Sequence, residues 1–124
     1  LDMTVSKEPL AMAVRHGDDD WYDLVQWVLN AMIFAEEKDI TSVNVSKVKS
    51  STKDPEIQSF LGVKNQLGSL LGVSNDWAYN IIKKVGNYEE IFNKHLGPKT
   101  IFNIPRGLSQ PWTKGGLMYS PPFK

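Results

Sequence analysis

Cysteine is absent from this sequence, which excludes disulfide bonds, thiolate catalysis and any zinc or iron site with a cysteine ligand. Histidine is scarce: His16 and His95 fall in a predicted turn and near a predicted helix end, so we expect structural positions rather than a shared metal. An excess of charge of either sign is also missing, because 14 lysines and arginines balance 14 aspartates and glutamates. We therefore predict no metal, no cofactor and no nucleic-acid partner.

A long hydrophobic run is lacking as well. The longest apolar stretch, residues 28–35, is interrupted by Asn30 and is much shorter than the ~20 residues that a membrane-spanning helix needs. The fractions of hydrophobic (41%) and charged (23%) residues are ordinary for a globular protein, and 124 residues fit one domain, which we place at 1–124. Because Leu1 is not an initiator and no signal-peptide pattern precedes Ser6, we expect a processed, trimmed or truncated product.

A short apolar run near the start of the sequence is typical of a β-strand. It follows Pro9, precedes a turn at 15–18 and consists of Leu10, Ala11, Met12, Ala13 and Val14. We predict that Leu10–Val14 is a buried strand, although no comparable strand pattern follows it. An unpaired strand leaves a row of amide and carbonyl groups without partners. A chain with one predicted strand is therefore dimeric or part of a larger protein, or else the strand prediction is wrong.

The next segment, residues 20–35, has the pattern of a strongly amphipathic helix. Apolar side chains recur at intervals of three and four residues, which places them on one helical face. They are Trp21, Leu24, Val25, Val28, Leu29, Met32 and Ile33. A helix with so broad an apolar face must be covered by protein, and we predict that it lies centrally in the core.

Shorter helices are predicted further along the chain. Asn44 can begin one helix, and Asp54 followed by proline can begin a second that ends at Gly62, a residue suited to a left-handed helix terminus. Two more helices are predicted over 75–86 and 87–97, the latter with a capping box in its first turn. The predicted fold is mainly α, with about five to six helices, one short N-terminal strand and an extended C-terminal tail.

The tail, residues 98–124, has no helical periodicity, and its prolines and glycines exclude long regular elements. It is nevertheless too apolar for a disordered linker. We predict that it lies extended over the helices and is held by apolar anchors. The predicted anchors are Ile101, Phe102, Ile104, Leu108, Trp112, Leu117, Met118, Tyr119 and Phe123.

A cluster of carboxylates is the most evident candidate for chemistry. It comprises Asp18, Asp19, Asp20 and Asp23. Such groups can hold a hard cation or divide acid and base roles, but their spacing lacks the glycine and distal glutamate of a calcium loop. We predict instead that they cap the first helix. A small hydrolase that uses this cluster is the last-ranked alternative, because no nucleophile motif surrounds Ser109 or Ser120.

Three blocks of the sequence, in order, carry a specific resemblance. They read SKEPLAMAVRHGDDDWYDLVQWVLNA, NDWAYNIIKKVGNYEEIFNKHLG and RGLSQPWTKGGLMYSPPFK. They resemble the C-terminal third of the periplasmic substrate-binding proteins of ABC transporters for general or polar amino acids. The resemblance implies a fragment of the two-lobed α/β fold of type II periplasmic binding proteins, in which this chain is the C-terminal part of lobe 1 and Leu10–Val14 is a strand returning to that lobe.

This resemblance also implies a role in amino-acid uptake and no enzymatic activity. The full-length protein would capture a free L-amino acid in the periplasm and deliver it to a membrane ABC permease. The arginine and aspartate that hold the ligand in the family lie upstream of the matched segment, so we expect no ligand-binding residue here, Arg15 and Asp18 included. With its sheet neighbours missing, Leu10–Val14 is expected to pair with the same strand of a second copy, giving a homodimer.

The alternative from another class is an independent helical module whose tail docks a protein partner. A gene in which this segment begins with its own start codon and signal peptide would favour that alternative. A gene with ~200 upstream residues, enough for further α/β domains, would favour the receptor fragment.

Overall fold

The computed structural model describes residues 10–124, and helices dominate this part of the chain. The α-helices are α1 (Asp19–Glu37), α2 (Val45–Ser51), α3 (Pro55–Phe60), α4 (Leu67–Leu70), α5 (Trp77–Val85) and α6 (Tyr88–His95). Two short 3-10 helices follow, at Gly107–Ser109 and Trp112–Lys114. The prediction of a mainly helical fold with five to six α-helices is confirmed. Within residues 10–124, no helix combines the length and hydropathy that crossing a membrane requires.

The prediction of a buried strand at Leu10–Val14 is wrong for the chain by itself. None of these five residues is assigned to a strand, and the side chain of Leu10 is 98% exposed. A strand requires hydrogen bonds to a neighbouring strand, and residues 10–124 contain only one isolated bridge, between Pro111 and Met118. The apolar run therefore has the composition of a strand but no sheet to join.

Helix boundaries follow the predicted capping residues. The Asp18 carboxylate accepts a hydrogen bond from the amide of Trp21 at the start of α1, and Asp54 accepts from two amides at the start of α3. Asn87 and Glu90 form the predicted capping box of α6. Gly62 has a left-handed backbone (φ 71°), as predicted, although α3 ends two residues earlier, at Phe60.

The core forms where the C-terminal half of α1 meets α5, with α2 packed on α5 and α6 on α1. Its centre is aromatic: the ring centroids of Phe34 and Phe60 are 4.8 Å apart, and the ring of Phe123 lies 4.9 Å from each of them. Trp27 and Trp77 complete the cluster around Phe123. The next-to-last residue of the chain is thus a central core residue, 3% exposed.

Most of the predicted tail anchors are not buried. Seven of them remain exposed, namely Ile101, Phe102, Ile104, Leu108, Trp112, Leu117 and Tyr119. The residues after Pro98 fold into tight turns, with hydrogen bonds such as Leu117 N–H to the carbonyl of Leu108, and they reach the core mainly through Phe123 and the buried Pro111. The prediction of many apolar anchors was therefore wrong, because local turns orient these side chains away from the helices.

Candidate functional site

The acidic cluster at the start of α1 caps the helix. Asp18 provides the N-cap, while Asp19 and Asp20 occupy the first turn, where they complement the helix dipole. All four carboxylates of the cluster belong to exposed residues. Among residues 10–124 there is no group of three or more acidic, histidine or cysteine side chains placed to hold a metal ion.

The candidate residues for hydrolytic chemistry are not assembled into a site. His16 and His95 are both exposed, the first in the turn before α1 and the second in the last turn of α6. The Ser120 hydroxyl donates to the neighbouring carbonyl of Pro121, and the Ser120 amide donates to Glu37 Oε1 at 3.0 Å. In the described part of the chain, neither Ser109 nor Ser120 has a histidine as a hydrogen-bond partner, so no nucleophile and base are paired.

A buried ion pair joins the tail to α1. Arg106 Nη2 donates to Glu36 Oε2 at 3.0 Å, and the side chains are only 9% and 3% exposed, respectively. The guanidinium also lies over the rings of Tyr88 and Phe92, with its central carbon 5.3 and 5.1 Å from the two centroids. Arg106 Nε and Nη2 also donate to the carbonyl of Ser109. Arg106 thus fixes the tail against both α1 and α6.

A second polar centre forms around Glu90 and ties the α1–α2 connection to α6. Its carboxylate accepts from the Ser42 hydroxyl (2.6 Å), the Ser42 amide (3.0 Å) and the Asn87 amide (2.8 Å). Burial alone would raise the pKa of Glu90, but these hydrogen bonds outweigh it and lower the pKa below 4.5. The Asn87 side chain donates to the buried carbonyl of Ile40, so the same cap satisfies a core backbone group.

We expect Glu90→Gln to lower the melting temperature at pH 7 by several degrees, because an amide accepts these three hydrogen bonds less well than a carboxylate. A carboxyl group with a lowered pKa stabilises the folded state fully above its unfolded pKa, and this contribution is lost as the pH falls through the folded value. The difference between wild type and Glu90→Gln should therefore shrink below about pH 4.5. Thermal unfolding between pH 7 and 3 measures this difference in melting temperature, with the neighbouring Glu89→Gln as control. A difference that stays constant with pH would contradict the lowered pKa of Glu90.

An apolar groove runs along the N-terminal half of α1. It is lined by Met12, Trp21, Leu24, Val25, Val28, Val73, Trp77 and Ile81, and we call it the α1 groove. No charged side chain lines it, and Trp21 is 51% exposed and Met12 53% exposed. The groove lies where the N-terminal apolar run meets the helix, with Met12 from the run and four residues of α1 in its lining.

The backbone of this chain matches part of a solved binding protein. The structure of an ABC transporter periplasmic binding protein from Brucella ovis with glutathione bound aligns over 100% of this chain with a TM-score of 0.92 and 44% identity. The chain covers 39% of that protein. Its helical fold is therefore a partial segment of the periplasmic binding protein fold, the class predicted from the sequence.

Several curated relatives are named as amino-acid-binding proteins. The chain is 46% identical over 124 residues to the glutamate/glutamine/aspartate/asparagine-binding protein BztA of Rhodobacter capsulatus, and 49% identical over 126 residues to the general L-amino acid-binding periplasmic protein AapJ of Rhizobium johnstonii. It is 44% identical to YhdW of Escherichia coli, a putative amino-acid ABC transporter-binding protein. No family model matches the sequence.

In each case all of this chain aligns, but it spans only about 37% of the length of the relatives. The chain is homologous to the C-terminal part of amino-acid-binding proteins of ABC transporters, which confirms the resemblance drawn from the three sequence blocks.

Sequence reasoning missed the buried ion pair that holds the tail against α1. A signal for Glu36 was present, because it continues the apolar stripe of α1 four residues after Met32, and a carboxylate on such a stripe needs a buried partner. No local signal identified Arg106 as that partner, since it lies 70 residues away.

Proposed function

We propose that this chain is the C-terminal part of a periplasmic receptor that captures a free amino acid and delivers it to an ABC permease. The observation that carries the proposal is homology over the whole chain, at 44–49% identity, to proteins named as amino-acid-binding components of such transporters. The proposed role is reversible binding without covalent chemistry.

The proposed ligand of the whole receptor is a free L-amino acid. The relative from Rhodobacter capsulatus is named for glutamate, glutamine, aspartate and asparagine, and the relative from Rhizobium johnstonii for general L-amino acids. The solved structure from Brucella ovis holds glutathione, a peptide that also carries a free amino acid end. The ligands in these three names share an α-amino and an α-carboxyl group. We propose that the whole receptor recognises these two groups.

We further propose that this chain stabilises one lobe of the receptor and contributes no residue to the ligand site. Residues 1–124 would form a single unit, the C-terminal part of lobe 1, with the tail packed on its helices. The charged side chains that are buried here, Glu36 and Arg106, already satisfy each other, so neither is free to hold an amino acid. The receptor as a whole would work in the periplasm.

Titration calorimetry tests the location of the ligand site. We expect the 124-residue chain to give no saturable heat with glutamate, glutamine, aspartate, asparagine or glutathione. The receptor that includes the upstream polypeptide should bind at least one of them with a dissociation constant in the micromolar range or below. Saturable binding by the 124-residue chain would show that the ligand site lies within this segment. Failure of the longer receptor to bind any amino acid would refute the proposed function.

A pairing of the N-terminal run is also proposed for the isolated chain. The apolar segment Leu10–Val14 is exposed except for the half-buried Val14, so pairing with the same segment of a second copy would bury it and satisfy its backbone groups. We expect light scattering to detect a dimer at high protein concentration, and Met12→Pro to abolish it because proline cannot donate a hydrogen bond. Met12→Ala serves as control, because it shortens the same side chain but keeps the backbone N–H. A strict monomer would refute the pairing.

A further inference from the structure

Charge is distributed unevenly along this electrically neutral chain. All 14 acidic residues lie at or before Glu90, whereas the sequence after Glu90 contains basic residues and no acidic one. These basic residues are Lys94, Lys99, Arg106, Lys114 and Lys124. The C-terminal segment therefore has a positive charge that the balanced total of the whole chain conceals, and a local excess of this kind attracts anionic surfaces.

The charges of Lys94 and Lys99 are not compensated by the described part of the chain. Arg106 and Lys114 are engaged in ion pairs with aspartate and glutamate side chains. Lys94 and Lys99 are exposed, and neither forms an ion pair among residues 10–124. Both lysines can therefore meet an external anion without breaking a contact within these residues.

A hydrogen-bonded loop follows α6, at residues 96–104, and we call it the α6 loop. Its base is closed by the Ile104 N–H, which donates to the carbonyl of Leu96 at 2.9 Å. Within it, the amide and the hydroxyl of Thr100 both donate to the carbonyl of Gly97. Gly97 is buried so close to α6 that a Cβ atom there would lie 2.6 Å from Asn93 Cα. The loop backbone is thus fixed by its own hydrogen bonds and by close packing on α6.

The α6 loop exposes apolar side chains beside these lysines. Ile101 is 95% exposed and Phe102 is 59% exposed, while Leu96 and Ile104 at the base are also exposed. Lys99 lies within the same loop, and Lys94 lies in the last turn of α6. Single exposed apolar residues are common on protein surfaces, but four within one short loop form a patch of the kind that marks an interaction site.

We propose that the α6 loop is a membrane-docking site, which places Ile101 and Phe102 in the interface of a bilayer that contains anionic phospholipid. Such an interface favours apolar side chains at the acyl boundary together with lysines at the level of the phosphates. Lysine suits this position, because its methylene stem covers apolar surface while its ammonium group stays in the headgroup layer. The docking site goes beyond the proposed function, since it involves no amino-acid ligand.

Two other occupants fit the loop less well. A second copy would place Lys94 and Lys99 against the same lysines, and like charges across an interface oppose association. The proposed upstream polypeptide joins the chain before α1. Arg106, two residues after the loop, is held by Glu36 in the last turn of α1, about 25 Å along the helix from Asp19. The loop is therefore anchored at the end of α1 opposite to the point where the upstream polypeptide enters.

Co-sedimentation with lipid vesicles tests the role of the lysines. The 124-residue chain and the receptor that includes the upstream polypeptide should both bind vesicles of phosphatidylcholine and phosphatidylglycerol in equal amounts, and neither should bind phosphatidylcholine alone. Lys94→Gln with Lys99→Gln should weaken binding by roughly 30-fold, because each lysine near an anionic surface contributes about 1 kcal/mol. Lys53→Gln with Lys64→Gln is the matched control, since these lysines are exposed on either side of α3, and it should leave binding nearly unchanged.

The apolar tip of the loop is tested by a second pair of variants. Ile101→Ser with Phe102→Ser should abolish vesicle binding, because serine gains nothing from entering the acyl boundary. Val43→Ser with Leu70→Ser is the matched control, since these side chains are 85% and 82% exposed outside the loop. The melting temperature of the loop variant and the amino-acid affinity of the receptor that carries it should stay unchanged, because both replaced side chains are exposed.

The remaining outcomes separate this proposal from its alternatives. No binding to the anionic vesicles would refute the docking site, as would equal losses in the loop variants and their controls. Vesicle binding by the 124-residue chain but not by the longer receptor would refute it too, because the upstream polypeptide would then cover the loop. Retention on lipid-free permease without vesicle binding would assign the loop to a protein partner instead. A receptor that binds no amino acid but docks on the vesicles would refute the proposed function and support the membrane site.

Discussion

Replacement of Phe123 by alanine is expected to reduce the free energy of unfolding by about 3–5 kcal/mol, the range for removal of a buried aromatic side chain. The ring is 3% exposed and lies within 5.3 Å, between centroids, of Phe34, Phe60 and Trp27. Its loss would open a cavity at the centre of the core and remove several aromatic contacts at once. For a domain of this size, such a loss is a large share of the total stability.

Urea unfolding followed by tryptophan fluorescence measures this effect. Phe102→Ala is the control, because this phenylalanine belongs to the same tail but is 59% exposed. We expect a change of less than about 1 kcal/mol for the control, as for other exposed positions. If Phe123→Ala were as mild as Phe102→Ala, the C-terminal end would not be part of the cooperative core.

Removing one partner of the Glu36–Arg106 pair is expected to cost about 3–5 kcal/mol, because the other charge would remain buried without compensation. The arginine has further contacts to lose, since its guanidinium lies over Tyr88 and Phe92 and donates to the carbonyl of Ser109. Arg106→Met should therefore weaken the attachment of the tail to α1 and α6 together. Chemical unfolding of Arg106→Met and Glu36→Met gives the two single costs.

The double variant Glu36→Met with Arg106→Met distinguishes a buried charge from a simple packing defect. It removes both charges, so it should be more stable than either single variant, with a coupling energy of about 1–3 kcal/mol. Lys114→Met is the matched surface control, because its side chain is 40% exposed beside Asp39 and Glu89, and it should cost less than about 1 kcal/mol. Additive costs in the double variant would contradict a coupled buried pair.

Local sequence signals predicted the helices well. Asp54 followed by Pro55 begins α3, the capping box of Asn87 and Glu90 begins α6, and the acidic residues before Trp21 begin α1. These signals are reliable because a cap and its free amide groups lie within a few residues of each other. The same local character made the resemblance of the three sequence blocks to amino-acid-binding proteins recognisable.

The tail and the N-terminal run were predicted less well. Phe102 and Phe123 both lie in the tail close to prolines, but only Phe123 reaches the core. Likewise, the apolar character of Leu10–Val14 indicated burial, while Leu10 is 98% exposed. In both cases apolarity gives a tendency to be buried but does not specify which surface covers the residue.

The sequence by itself determined the helix positions, their caps and the kinship with amino-acid-binding proteins, because periodicity and capping act over a few residues. Only the tertiary structure decided that Phe123 fills the core, that Glu36 meets Arg106 and that the N-terminal half of α1 is only partly buried. Those outcomes depend on contacts between segments far apart in the chain. Their free energies arise from burial and from compensating charges, which no local pattern of residues encodes.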